Sequence, residues 1–528
     1  DYGTAPDPIP VDCPVDAVEA VASKLTGGAG CSSVDAALLR NMLLRHGRAS
    51  AELREELSAW ARWLANTSPP WAAYRAMRQG RLVALDKQPG VRPLGIGESW
   101  MRAVAKLVLT ELGRDGKAAC GSTQLCAGLE AGIEGAIHAA TLKATDDHSF
   151  RFDDWEIEDS TWLAEAEDGA TPPWENSPQP DCPLTQDPAD TTPDPTVLAL
   201  ADAENGFQNL GRYSLLWEVR HRWPSGARFA FNMYRHECRL MLRGPTGTPP
   251  IIILSREGVM QGCVWGMILY GIGLLPLAED LRRHDPSILQ PWYADDFALE
   301  GPATSVARLF QRLCQRGPDV GYFPAPAKSY VVCPRASEPA AKAAFDAADL
   351  PVQFSRGQRY VGGFVGSTAK RDRWLAPLVE KWVLGVKRLS AVALRFPHSA
   401  YAGLVSCLLA EWHYASRAVP DIGPLLAPIE EALRTHFLPA ILGRTDPIDD
   451  DLRRLLSLGV KQGGLAIRNP AEGADALFHC SRAATETLVH SLLTNQPLGL
   501  DNHRSCVRNA GASYRSTRKE SDEAFRTA

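Results

Sequence analysis

Nowhere in this sequence are two cysteines spaced Cys-x-x-Cys, although the chain has 12 cysteines. That spacing opens most zinc-binding frameworks, and scattered thiols also argue against a disulfide-stapled fold, so reduced cysteines are the expectation. His503 and Cys506 lie close in sequence but lack a second pair. No apolar run reaches the roughly 18 to 20 residues of a membrane span. The longest, Val264 to Leu277, is shorter and is broken by glycines. Internal repeats are absent, which sets solenoids aside. No secretory leader opens the chain, which starts at Asp1 and reads as a fragment of a longer polypeptide. An excess of positive charge is also missing: the net charge is −6.

That charge is unevenly placed. Residues 144–196 hold 15 Asp plus Glu against one basic residue, Arg151, a local −14 that leaves +8 on the rest of the chain. A phosphate backbone therefore suits the remainder. The acidic stretch itself, rich in Pro and Asp and carrying Trp155, Trp162 and Trp174, reads as a surface insertion.

The most informative stretch is Trp292-Tyr293-Ala294-Asp295-Asp296-Phe297-Ala298-Leu299. Apolar runs flank two adjacent carboxylates, the pattern of two short strands with the acidic pair at their turn. Pro291 belongs at an edge or a bulge, because proline cannot donate to a ladder. Burying two neighbouring carboxylates is costly unless a cation joins them. Oxygen-only ligands favour magnesium, with manganese as the alternative. Taken alone, a Tyr-x-Asp-Asp string is also what a solvated turn looks like.

The rest of the chain decides between these readings. Residues 1–33 read as irregular. Helices are expected over Val34 to His46, over a second segment with Leu53, Leu57, Trp60 and Leu64 on one face, and over Trp71 to Gln79. Two apolar strands around Gln88-Pro89-Gly90 form a hairpin with Lys87 and Arg92 near its tip. Two cations so placed suit a triphosphate, lysine as a point charge and arginine as a fork. A helix from Glu98 to Leu112 carries Arg102 and Lys106 on one face. The run Thr196 to Ala201 is an apolar strand ending in Asp202, with Phe207 five residues on. Tyr213 to Trp223 reads as helix and Arg228 to Leu242 as strand pairs. Gly258-Val259-Met260-Gln261-Gly262 is a loop leading into an apolar helix, and a helix is expected over Ala303 to Arg316. Lys328 follows Pro326, and Tyr360 to Gly366 forms a glycine-bent strand pair. From Trp374 the pattern is almost all helical, with Leu375, Val379, Trp382, Val386 and Leu389 in one stripe and a short strand at Gly463 to Ile467.

In this order the motifs, from Leu82 to Leu493, resemble the reverse transcriptase domain of non-long-terminal-repeat retrotransposons. The Lys87/Arg92 hairpin resembles the fingers strands of that family, and Arg102 and Lys106 its next helix. Asp202 with Phe207 resembles the first palm motif, Gly258 to Gly262 the template and nucleotide loop, and Tyr293 to Asp296 the palm hairpin. Lys328 resembles the lysine of the following motif, Tyr360 to Gly366 the primer grip with Gly362 and Gly363, and Gly463 to Leu465 a thumb feature. Two departures stand out: Cys263-Val264 where the family has Asp-Pro, and Gly206 where alanine is commoner.

The resemblance implies an α+β right-hand polymerase: an N-terminal helical extension (1–80), fingers (81–195) with the acidic insertion, a palm with an antiparallel sheet (196–372), a helical thumb (373–500) and a tail (501–528). It implies DNA synthesis on an RNA template from a DNA primer and deoxynucleotides, inside the cell and in the nucleus, without a membrane. Asp202, Asp295 and the Ala203 carbonyl would hold magnesium, with Asp296 supporting. Lys87, Arg92, Phe207, Gln261 and Lys328 would contact the nucleotide, and Arg102, Gly262, Tyr293, Gly362 and Gly363 the primer and template. A bulky Phe207 under the sugar disfavours a 2′-hydroxyl. Three rivals remain: a domesticated domain that only binds nucleic acid, an RNA-dependent RNA polymerase, and a group II intron-type maturase.

Overall fold

The computed structural model describes residues 3–86, 90–146, 194–245 and 247–527. Lys87 and most of the acidic insertion, including its three tryptophans, lie outside them. Among the described residues, eleven strands are laid between many helices: β1 (Gly80–Asp86), β2 (Val91–Gly97), β3 (Thr196–Ala201), β4 (Cys238–Leu242), β5 (Ile251–Ser255), β6 (Trp292–Tyr293), β7 (Asp296–Pro302), β8 (Tyr330–Val332), β9 (Gln353–Ser355), β10 (Gly357–Tyr360) and β11 (Gly363–Gly366).

The central sheet has the order β6-β7-β3-β8-β9. Its pairs are antiparallel except β8–β9, which is parallel, so the expected antiparallel sheet carries one parallel edge. β3 is apolar without a break because both of its faces are covered. Val197, Ala199 and Ala201 join one buried cluster, while Leu198 and Leu200 join the other. Alternation of side chains across a strand requires this split, and a strand buried on both sides reads as a continuous hydrophobic run. Phe297 and Leu299 of β7 pack with the first cluster and Ala298 with the second. β6 is an edge strand, which is why Pro291 is tolerated just before it.

A second sheet, β2-β1-β4-β5, joins the Arg92 hairpin to residues 238–255. The third is the β10–β11 hairpin, whose turn residues Val361 and Gly362 both have positive φ. From Thr368–Ala393 onward the chain is helical, and Leu375, Val379, Trp382 and Val386 line the buried side of that helix. Helix Ala303–Arg316 forms where the pattern predicts it. Among the described residues, no helix is long and apolar enough to cross a membrane.

Three local expectations are corrected. The region expected to be irregular at the N-terminus contains helix Val15–Ser23, which buries Val18, Val21 and Ala22. Part of the stretch read as strand pairs is helix Pro224–Tyr234, opened by a proline at its first turn and buried through Phe229, Ala230 and Met233. Gly463 to Ile467 is no strand: a 3₁₀ turn at Val460–Gln462 precedes it, and Leu465 and Ala466 donate their N–H groups to the carbonyls of Leu456 and Leu458.

Candidate active site

β3 and the β6–β7 hairpin bring three carboxylates together. Ala201 pairs with Phe297, so Asp202, one residue on, meets the turn that carries Asp295 and Asp296. The alternation of the sheet puts Asp202 and Asp296 on the face shared by Leu200 and Ala298. Asp295 lies in the turn itself, with its side chain over Gly206. A Cβ built on Gly206 would fall 2.8 Å from the Cβ of Asp295. Asp202 is fixed through its backbone: its N–H donates to Ser329 Oγ (3.1 Å), and its carbonyl accepts from Ala325 N–H (2.8 Å). The Ala203 N–H donates to Asp202 Oδ1 at 3.0 Å.

The electrostatics follow from this crowding. Asp296 is raised from 3.8 to about 6, first by desolvation in the packed hairpin and then by Asp295 and Asp202, with Arg359 opposing. Part of its surface nonetheless stays open to solvent. Tyr322 and Tyr270 beneath the turn are raised well above the usual phenol range, first by burial and then by neighbours that include Asp295. The Tyr322 hydroxyl donates to the Asp295 carbonyl at 3.0 Å.

This donor set fits a divalent cation: hard oxygens, mutually repelling, at a solvent-accessible turn. Among the described residues no three His, Cys, Asp or Glu side chains form a ready-made cage. Two carboxylates with a backbone carbonyl leave positions for water and substrate oxygens, which is how magnesium is usually held.

Around the acidic turn stand several of the residues expected to contact a nucleotide. The Phe207 ring, partly exposed, stacks on Tyr270 with centroids 4.4 Å apart and planes 20° apart. The Gly258–Gly262 loop is tied to the same segment: Val259 N–H donates to the Phe207 carbonyl (2.8 Å) and Gly258 N–H to the Leu210 carbonyl (2.9 Å). At Gly258, φ is +67° and a Cβ would fall 2.2 Å from the Phe207 carbonyl oxygen, so the approach requires glycine. Gly95 N–H of β2 donates to the Gln261 carbonyl (3.0 Å), which draws the Arg92 hairpin onto this loop. Arg92 is exposed near the tip of that hairpin, opposite Leu85. The Gln261 side-chain oxygen is buried without a hydrogen-bond partner. Lys328 stands beside the segment after Asp202, 3.6 Å from Glu204, with both side chains more than half exposed.

The β10–β11 hairpin packs under the acidic one, where the Tyr360 hydroxyl donates to the Pro291 carbonyl (3.4 Å). Its Gly362 lies against the Tyr414 ring and its Gly363 against Ile137. Tyr293 is half-buried on the neighbouring edge strand, and burial raises its phenol. Arg102 is placed elsewhere. Its guanidinium donates to the carbonyls of Gly28 (2.5 Å) and Thr26 (3.4 Å) and to Ser99 Oγ (2.9 Å), so within the chain it clamps an N-terminal loop.

Several contributors escape a reading by motif. Gln124, Tyr270, Tyr322 and Arg359 all bear on the acidic turn. Arg359, next to Tyr360 in a stretch already singled out, could have been flagged from its position. The others carry no local signal, because only the tertiary fold brings them to the turn.

No protein-family model and no curated protein matches the chain. Among solved structures it is similar to an apo telomerase from Candida tropicalis, at 12% identity and a TM-score of 0.39, over 84% of this chain and 74% of that one. Telomerase from Candida albicans in complex with a fragment of telomeric RNA gives 10% identity and a TM-score of 0.36, over 90% of this chain and 70% of that one. A Candida tropicalis apo telomerase truncated from its C-terminal domain gives 10% identity and a TM-score of 0.34, over 62% of this chain. The chain spans 64% of the length of that truncated protein. These likenesses are shallow.

Proposed function

We propose that this chain is an RNA-directed DNA polymerase of the retrotransposon, non-long-terminal-repeat type. One observation carries the reading: Asp202, just after β3, faces the β6–β7 hairpin that carries Asp295 and Asp296, with Phe207 and the Gln261 loop beside them. Carboxylates from two separate segments, with a partly exposed aromatic ring and a glycine-bent loop beside them, suit a nucleotide better than they suit a structural turn.

Asp202, Asp295 and the Ala203 carbonyl would hold magnesium, which when bound supplies charge neutralisation for phosphoryl transfer. The residues of the chain do the positioning. Arg92 would fork onto the triphosphate of an incoming deoxynucleotide, with Lys87 adding a point charge. Phe207 would lie under the sugar and crowd a 2′-hydroxyl. Gln261 would sit near the templating pair. Lys328, held by Glu204, would bring positive charge to the departing pyrophosphate. Tyr293 and the Gly362–Gly363 turn would border the DNA primer, and Gly262 the RNA template, read by shape and 2′-hydroxyl contacts. Action in the nucleus belongs to the same proposal.

The test is extension of a DNA primer on an RNA template with deoxynucleotides and magnesium. Templated extension supports the reading. Binding of template–primer without extension would favour a domain that only binds nucleic acid, and extension with ribonucleotides at equal efficiency would favour an RNA polymerase.

A further inference from the structure

Tyr270 belongs to none of the motifs, yet it touches both halves of the site. It sits on the first turns of helix Gly266–His284, fully buried, where the helix leaves the Gln261 loop. Its ring lies flat against Phe207. Its hydroxyl is buried without a hydrogen-bond partner. That oxygen would be 2.7 Å from a Cβ on Gly206, and the Cβ of Asp295 would be 2.8 Å from the same point. Gly206, the Phe207 ring and the Asp295 side chain thus close around a single tyrosine.

We infer that Tyr270 is a positioning residue that braces Phe207 and thereby sets how strongly the site prefers a deoxyribose over a ribose sugar. The inference rests on the polymerase reading above. Phe207 is carried by a helix of only four residues, Gly206–Asn209, too short to hold a ring rigidly by itself. A partly exposed phenylalanine on such a turn would sample other rotamers and yield to a 2′-hydroxyl. Tyr270 stands on a helix of 19 residues in the core. Its ring covers one face of Phe207 and restricts the rotamers in which Phe207 can retreat. Close packing transmits such a constraint because the interior has little free volume. The glycine at position 206 fits the same packing: the space a methyl group would need is occupied by the Tyr270 hydroxyl.

The experiment compares single-nucleotide addition of deoxy- and ribonucleotides on one RNA template–DNA primer, for wild type, Tyr270→Met and Tyr270→Phe. Melting curves check folding, and Tyr270→Leu replaces the methionine variant if that one does not fold. Loss of the ring stack in Tyr270→Met should lower the deoxy-over-ribo ratio by up to about tenfold, the range an aromatic pair can supply. Tyr270→Phe keeps the ring and should keep the ratio. An unmoved ratio in Tyr270→Met with the wild type active would overturn the inference alone. So would an equal shift in Tyr270→Phe, which would trace the effect to the hydroxyl. No extension by wild type would overturn the polymerase reading, and the inference with it.

Discussion

Gln124 holds Ala294 by both ends of its carboxamide: Nε2 donates to the Ala294 carbonyl at 3.2 Å, and Oε1 accepts the Ala294 N–H at 2.9 Å. Ala294 is the residue before Asp295, and its φ is +56°, a conformation few non-glycine residues adopt. The fully buried Gln124 thus replaces the ladder partners that the turn gives up. Replacing it with leucine leaves the Ala294 carbonyl and the N–H groups of Ala294 and Cys126 without this partner, which should cost about 1–3 kcal/mol each, less whatever relaxation recovers. Urea unfolding measures the loss. A Gln124→Leu protein as stable as wild type would mean that the turn needs no such support.

Asp296 makes the stability of the metal-free protein depend on pH. Its folded value of about 6 lies above its ordinary 3.8, so between these values the folded state binds more protons than the unfolded one. Stability from this group therefore falls as pH rises through that window, and the penalty is complete above it. Asp296→Asn removes the penalty. Without divalent metal, the variant should melt higher than wild type at pH 7.5, and the gap should close as pH falls towards 4. A gap independent of pH would show that the crowding of the three carboxylates is not what raises Asp296.

Much of this arrangement was legible in the sequence. β3 runs up to Asp202, which follows its last residue Ala201, and the acidic pair falls at the turn between two strands, because unbroken and flanking apolar runs report burial directly. The Gly258–Gly262 loop was legible for a similar reason, since its glycines mark close backbone approaches. The intrachain clamp of Arg102 was not legible, because a cation on a helix face looks the same whether it meets phosphate or three oxygens of its own chain. Gln124 and Tyr270 were missed because their partners lie far away in sequence: Ala294 and Phe207 give no hint of who covers them. The stretch within helix Pro224–Tyr234 was taken for strand because its aromatic residues Phe229, Phe231 and Tyr234 suit either state, and tertiary burial decides.

The role of Arg102 as a clamp can be separated from one in binding. Arg102→Met should lower stability by about 1.5–3 kcal/mol, the range for hydrogen bonds to a charged group, and leave affinity for template–primer unchanged. Fluorescence anisotropy and melting together decide: lower affinity at unchanged stability would return Arg102 to the nucleic-acid surface.

Gly206→Ala should disturb the site without unfolding the chain. Its methyl group would meet the Tyr270 hydroxyl at 2.7 Å and the Asp295 Cβ at 2.8 Å. The rate of nucleotide addition should fall, and Gly206→Ala combined with Tyr270→Phe should recover part of it, because one of the two collisions is gone. A single variant as fast as wild type would mean that the turn moves aside freely.

The most direct test of the central claim is addition of one deoxynucleotide to a preformed RNA template–DNA primer complex, with wild type beside Asp202→Asn, Asp295→Asn and Asp296→Asn. The account predicts magnesium-dependent addition by wild type, its near-complete loss in the first two variants at unchanged template–primer affinity, and a smaller loss in the third. Addition by Asp202→Asn or Asp295→Asn at the wild-type rate would contradict it.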